Sequence, residues 1–246
     1  MIRAFIFDLD GTLVDTEALK AQAYARVSQD LLGLSAPDER AIATYRRLVG
    51  NTDETVARAM VSDLDLAVPL GQERDDPRRE LWEVLHERRV DTYRREVATD
   101  AGLRGAEFRH NTGVLKAAKA DGALTAVATS SYRTEASRVL GALGLTGHLD
   151  VVVCRDDVTV PKPDPEIYLT TMNALGVRPG ETLIVEDSPV GLQAAVASGA
   201  MWVCVANQFS APHLRATAGI DLRWVVFDPD TVAEVVAARR GQMSAR

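Results

Sequence analysis

From Thr112 onward the sequence repeats one pattern: a short apolar run, a turn, then a helical stretch closed by glycine. Apolar runs at 124–128, 151–154, 183–185, 201–205 and 224–227 read as buried strands. Residues 114–120, 135–143, 165–175, 190–198 and 231–239 have helical composition. Asp121-Gly122, Gly144, Gly176 and Gly199 follow four of these helices as C-terminal stops. Strands that alternate with helices pair in parallel, because each return to the sheet runs through a crossover helix. The expected fold is therefore α/β, a doubly wound parallel sheet with its functional loops at the carboxyl ends of the strands.

Residues 17–100 break this pattern. Helical composition covers 17–32, 37–49, 53–64 and 79–97, with breaks at Gly33 and Gly50-Asn51 and a charged loop at 71–77. No convincing strand falls among them. The segment follows the first strand and precedes the rest of the sheet, so it reads as a helical insertion. The expected division is a core of residues 1–16 and 101–246 and an inserted domain of 17–100. The tail 241–246 is expected to fray.

The first strand, residues 4–7, runs into Asp8-Leu9-Asp10-Gly11-Thr12. Carboxylates at i and i+2 in extended backbone point to one side. Gly11 permits a tight turn or a close backbone approach. Acids at the end of a buried strand are costly unless something compensates them, and a hard divalent cation with oxygen ligands does so. A solvated acidic turn is the competing reading. Polar groups recur at other strand ends. Thr129-Ser130-Ser131 follows 124–128 and suits phosphate oxygens or a helix cap. Lys162 sits between Pro161 and Pro163, in backbone expected to be rigid and extended; an exposed loop lysine is the alternative. Glu186-Asp187 follows 183–185, where Asp187 could cap a helix, although a cap leaves Glu186 unexplained.

These four stretches, in order, resemble the four motifs of the haloacid dehalogenase-like superfamily. Asp8 to Asp15 matches Asp-x-Asp-Gly-Thr-(Leu/Val)-x-Asp, Thr129 stands at the hydroxyl position of the second motif, Lys162-Pro163-x-Pro165 matches the third, and Glu186-Asp187-Ser188-x-x-Gly191 matches the fourth. The resemblance implies a Rossmann-like core with an inserted α-helical cap of the β-phosphoglucomutase and phosphoglycolate phosphatase branch. It implies Asp8 as a nucleophile that becomes an aspartyl phosphate, and Asp10 as general acid and base. A carboxylate ionised at pH 7 needs no base in order to attack, whereas the leaving alcohol needs a proton. Thr129 and Lys162 join the catalytic set, with Lys162 neutralising charge between nucleophile and phosphate. Gly11, Ser130 and Ser131 would hold phosphate. Mg²⁺ would be held by Asp8, the Asp10 carbonyl, and Asp187 or Glu186, with Asp187 preferred.

Asp10 argues against the dehalogenase members, which lack an acid there. Two departures favour a phosphatase over a sugar phosphomutase. Asp53 stands where the mutases carry arginine after Gly50-Asn51-Thr52, and Lys20 stands where they carry histidine. Lys20 is read as a cation for a second anionic group of the substrate, or else as a solvated helix lysine. Thr112-Gly113 replaces the usual Pro-Gly, so Thr112 is expected to cap its helix, with His110 nearby. His86, His148 and His213 have no zinc-ligand spacing.

Twenty-eight Lys+Arg against 35 Asp+Glu give a net charge of −7 with no basic run, which excludes nucleic acid as an expected partner. No apolar stretch reaches the ~18 residues of a membrane span, and no signal peptide is expected. Cys154 and Cys204 lie in apolar runs and read as buried free thiols, which suits the cytoplasm. The expected activity is Mg²⁺-dependent hydrolysis of a small phosphorylated metabolite by a monomer or small homo-oligomer. A β-phosphoglucomutase-like mutase is the alternative, and a non-catalytic binding protein a more distant one.

Overall fold

The structure is a computed structural model that describes residues 2–48, 53–217 and 219–241. Six parallel strands form one sheet: β1 (Ala4–Phe7), β2 (Leu124–Ala128), β3 (Val151–Val153), β4 (Thr182–Glu186), β5 (Met201–Val205) and β6 (Val225–Val226), in the order β3-β2-β1-β4-β5-β6. This is the doubly wound α/β arrangement that the alternation implies, and β1 lies at its centre. Every residue of β1 and β4 is buried. Ala4, Ile6, Ala126, Ile184, Tyr168 and Met172 belong to one core cluster between the sheet and the helix Glu166–Leu175.

Register sets the site. Phe7 pairs with Val127 on one side and Val185 on the other. The carboxyl ends of β1, β2 and β4 therefore finish level, where the strand order reverses, and ligands of such sheets bind outside that point.

The chain divides into two compact units, one of residues 1–15 and 107–246 and one of 16–106. Residues 101–106, expected with the core, cluster with the helical unit, where they form most of the helix Asp100–Gly105. The helical unit also contains Thr16–Leu32, Glu39–Leu48, Asp53–Asp63, Ala67–Glu73 and Leu81–Thr92, the last continued by a π-helical turn, Tyr93–Val97. Residues 71–73, expected as loop, end the helix Ala67–Glu73: burial of Leu66 and Leu70 overrides the weak helix propensity of Pro69 and Gly71. The Gly50-Asn51 break and most of the expected frayed tail lie outside the described residues. The helix expected at 114–120 begins earlier, at Arg109. Thr112 is therefore inside it and not its cap; the hydroxyl donates to Glu107 Oε1 (2.7 Å). The helix Ala211–Ala216 has no counterpart among the expected elements. Among the described residues, no helix is long and apolar enough to cross a membrane.

Candidate active site

Asp8 leaves β1 buried, at 6% exposure, with its N–H bonded to Val185 O at 2.9 Å. Lys162, whose side chain is 6% exposed, donates from Nζ to Asp8 Oδ1 and to Glu186 Oε1, both at 2.7 Å. The Lys162 ammonium also lies 4.9 Å from the centroid of the Tyr168 ring. The backbone around Lys162 is not extended: Asp164 N bonds back to Pro161 O at 3.1 Å, closing a turn across a cis Lys162–Pro163 bond. That turn faces the ammonium inward, so Lys162 is not an exposed loop lysine.

Glu186 is held on all sides. Oε1 accepts from Lys162 and from Tyr168 Oη (2.8 Å), and Oε2 accepts from Asp187 N (2.8 Å), Ser188 N (3.1 Å) and Ser188 Oγ (3.2 Å). A carboxylate offers about four lone-pair sites, so these donors consume its capacity. Burial pushes the Glu186 carboxyl up, but Lys162, helped by the Ser188 and Tyr168 hydrogen bonds, holds the group below its ordinary value. Gly191 Cα packs against this carboxylate: a Cβ there would lie 1.7 Å from Glu186 Oε1. Ser188, not Asp187, caps the helix Pro189–Ala197 by accepting from Gly191 N at 3.1 Å.

Asp187 is buried beside Glu186. Its Oδ1 accepts from Thr12 Oγ1 (3.2 Å) and its Oδ2 from Asn207 Nδ2 (2.8 Å). Burial and then the charges of Glu186 and Asp8 push its carboxyl well above the ordinary range. Asp8 is pushed up to about 7 by burial, against the pull of Lys162. Desolvation thus works against the ionised Asp8 that an attack needs, and the Lys162 ammonium works for it. Gly11 has φ +88°, and a Cβ there would fall 2.3 Å from Asp187 Oδ2. Its N–H donates to Val14 O at 2.8 Å, so the residue serves the close approach and has no amide left for phosphate.

Asp10 stands on the opposite side of the turn. Its Oδ2 accepts from Ser131 Oγ at 2.5 Å and lies 3.4 Å from Thr129 Oγ1. Thr129 is fully buried, and its hydroxyl accepts from Ser131 N at 3.0 Å. The helix after it begins at Arg133, so Thr129 is not its cap. Ser131 is thus committed to Asp10, and Ser130 is exposed. His110 faces Asp230 at 3.5 Å.

Ligand oxygens of Asp8, Glu186 and Asp187 lie within 4.8 Å of one another. The Glu186 oxygens are already taken by five donors, which leaves Asp8 and Asp187 as hard oxygen ligands. This donor set fits a magnesium-sized divalent cation.

The profile of the family described as "Haloacid dehalogenase-like hydrolase" matches residues 5–205. The chain belongs to this family. A phosphorylated carbohydrates phosphatase of Thermotoga maritima is 30% identical to the hydrolase over 198 residues, covering 80% of this chain and 82% of that protein. A phosphoglycolate phosphatase of Thiobacillus denitrificans is 30% identical over 205 residues, 83% of each chain. Among solved structures, a Thermotoga maritima protein assigned as a beta-phosphoglucomutase superposes with a TM-score of 0.72 at 27% identity, covering 96% of the hydrolase and 99% of that chain.

Within the helical unit of the hydrolase, Lys20 Nζ pairs with Glu17 Oε1 at 2.7 Å, and Tyr45 Oη donates to Glu17 Oε2 at 2.6 Å. Burial pushes Glu17 up, but Lys20 and Tyr45 together hold it below its ordinary value. Arg89 is buried, with Nη2 at 3.4 Å from both Asp53 Oδ1 and His86 Nδ1 and its guanidinium 5.6 Å from the Tyr24 ring centroid. Arg89, Tyr168, Asn111 and Asn207 were not singled out from sequence as members of these networks. Arg89 hides in a charged helix, where arginines are usually solvated. Asn207 lies two residues past the end of β5, a position that the sequence marks only weakly.

Proposed function

We propose that this chain is a cytoplasmic, Mg²⁺-dependent phosphatase that hydrolyses a small phosphorylated metabolite, a sugar phosphate or similar, through an aspartyl phosphate on Asp8. The observation that carries the reading is the buried ion pair of Asp8 with Lys162, set between Asp187 on one side and Asp10 on the other.

Lys162 fixes Asp8 Oδ1, which leaves Oδ2 to attack phosphorus. The new Oδ2–P bond forms as the bond from phosphorus to the ester oxygen breaks. Asp10, oriented through its Oδ2 by Ser131 and Thr129, gives its proton to the departing alcohol. In the second step Asp10 takes a proton from water, the water oxygen bonds to phosphorus, and Asp8 is released with inorganic phosphate. The Lys162 ammonium balances the negative charge gathered around Asp8, the phosphoryl group and Glu186. Mg²⁺ would be held by Asp8, Asp187 and the Asp10 carbonyl, and would supply positive charge to the phosphoryl oxygens. Glu186 anchors Lys162, since its lone pairs are already taken. The helical unit selects the substrate, with Lys20 as a cation for a second anionic group.

Phosphatase is preferred over mutase because Asp53, at the position of the mutase arginine, is an acid that pairs with Arg89. The test is release of phosphate from a panel of phosphorylated metabolites, with Mg²⁺ and with EDTA, including β-glucose 1-phosphate. Metal-dependent release from one ester class supports the reading. Glucose 6-phosphate in place of phosphate overturns it in favour of the mutase, and no turnover of any ester overturns both.

A further inference from the structure

Asn207 lies outside all four motifs, in the loop that leaves β5. We infer that Asn207 is a positioning residue that holds Asp187 ready for a divalent cation and ties it to the turn after Asp8. The inference rests on the reading of Asp187 as a cation ligand.

The orientation of the Asn207 amide is fixed by its partners. Its Oδ1 accepts from Phe209 N and Ser210 N, both at 2.9 Å, so the NH₂ group must face the other way. There it meets two acceptors, Asp187 Oδ2 at 2.8 Å and Gly11 O at 3.1 Å. Two hydrogens serve two acceptors, and the carbonyl oxygen serves two donors, so the amide has one satisfiable orientation. The next turn carbonyl, Thr12 O, is held in the same way by Asn111 Nδ2 at 2.6 Å. Two amides, one from the loop after β5 and one from the first turn of the helix Arg109–Ala120, therefore grip successive carbonyls of the turn that follows the nucleophile.

The chemistry of the donors separates the two acids at the end of β4. Glu186 is held by a cation, Lys162, which neutralises it. Asp187 is held by an amide and a hydroxyl, neutral donors that orient the carboxyl and bring no competing cation. Orientation with the place of a cation left open is what a metal ligand needs, and such outer partners typically govern metal affinity.

The test is Mg²⁺ titration into the substrate-free protein by calorimetry, comparing wild type with Asn207→Ser and Asp187→Asn. Serine caps the following turn about as well as asparagine but is too short to reach Asp187. Asn207→Ser should weaken the Mg²⁺ Kd about 10- to 100-fold while its thermal unfolding midpoint stays near wild type. An unchanged Kd in Asn207→Ser, with binding lost in Asp187→Asn, overturns the inference and leaves the metal reading intact. Unchanged binding in Asp187→Asn overturns both. If Asn207→Ser fails to fold, Asn207→Asp keeps volume and cap but replaces the donor by an acceptor: weakened Mg²⁺ binding supports the inference, and equal or tighter binding overturns it.

Discussion

Replacing Gly191 by alanine sets helix propensity against the packing of Glu186, and the two predict opposite signs. Gly191 lies in the first turn of the helix Pro189–Ala197. With space for a methyl group, alanine in a helix is favoured over glycine by about 1 kcal/mol. Here the new Cβ would lie 1.7, 2.0 and 2.3 Å from Glu186 Oε1, Cδ and Oε2. A free glutamate could swing aside at small cost. This one cannot, because it accepts from Lys162, Tyr168, Asp187 N, Ser188 N and Ser188 Oγ. Clearing the methyl means moving the carboxylate by more than an ångström, which stretches several of these bonds at once. Each hydrogen bond to a charged group contributes about 1.5–3 kcal/mol, so loss of two places the cost near 3–6 kcal/mol. The expected net effect of Gly191→Ala is destabilisation of at least about 2 kcal/mol after the propensity gain. Gly113→Ala is the control: it is exposed within the helix Arg109–Ala120, nothing lies within 4 Å of its added Cβ, and it should stabilise by about 1 kcal/mol. Urea unfolding followed by circular dichroism reads both. If Gly191→Ala is as stable as wild type or more so, the Glu186 carboxylate is not locked, and its assignment as the anchor of Lys162 falls.

Other outcomes follow from the same geometry. Asp8→Asn should abolish turnover while the far-ultraviolet spectrum stays unchanged; normal turnover would remove Asp8 as nucleophile. Asp10→Asn should slow both chemical steps, by about 10²- to 10⁴-fold in kcat, and an unchanged rate would exclude proton transfer there. Tyr168→Phe removes one buried donor to Glu186 and should lower unfolding stability by about 1.5–3 kcal/mol; an unchanged urea midpoint would mean that this bond contributes nothing. Lys20→Ala should raise KM for substrates with a second anionic group and leave a generic aryl phosphate unaffected; equal effects on both would assign Lys20 to its ion pair with Glu17 alone.

The sheet was legible in the sequence because parallel strands are buried on both faces and write themselves as continuous apolar runs. β2 and β5 match the expected bounds, while β6 shrinks to two residues at the sheet edge, where it has one neighbour to pair with. Asp8, Asp10, Glu186 and Asp187 could be picked out because acids at the ends of apolar runs are rare without a reason, and Lys162 because its proline-flanked stretch resembles the third motif of the family. Their partners were harder to read. Tyr168 looks like any core aromatic on a helix, and only its hydroxyl, 2.8 Å from Glu186, distinguishes it. Asn207 depends on the side-by-side arrangement of β4 and β5, which no local pattern records. Ser131, expected to hold phosphate, bonds to Asp10, because the adjacency of β1 and β2 brings the two loops together.

The central place of β1 also governs the order in which the molecule can be assembled. Ala4 leaves the ribosome long before its sheet partners, Leu124 and Thr182. The helical unit of residues 16–106 is built from nearby segments and can complete its fold before either partner has been made. The strand that carries the nucleophile therefore waits, an apolar ribbon with two open edges, until both β2 and β4 have been synthesised. A nascent or truncated chain that ends before β4 has no active site and exposes a sequence prone to pair with the wrong strand.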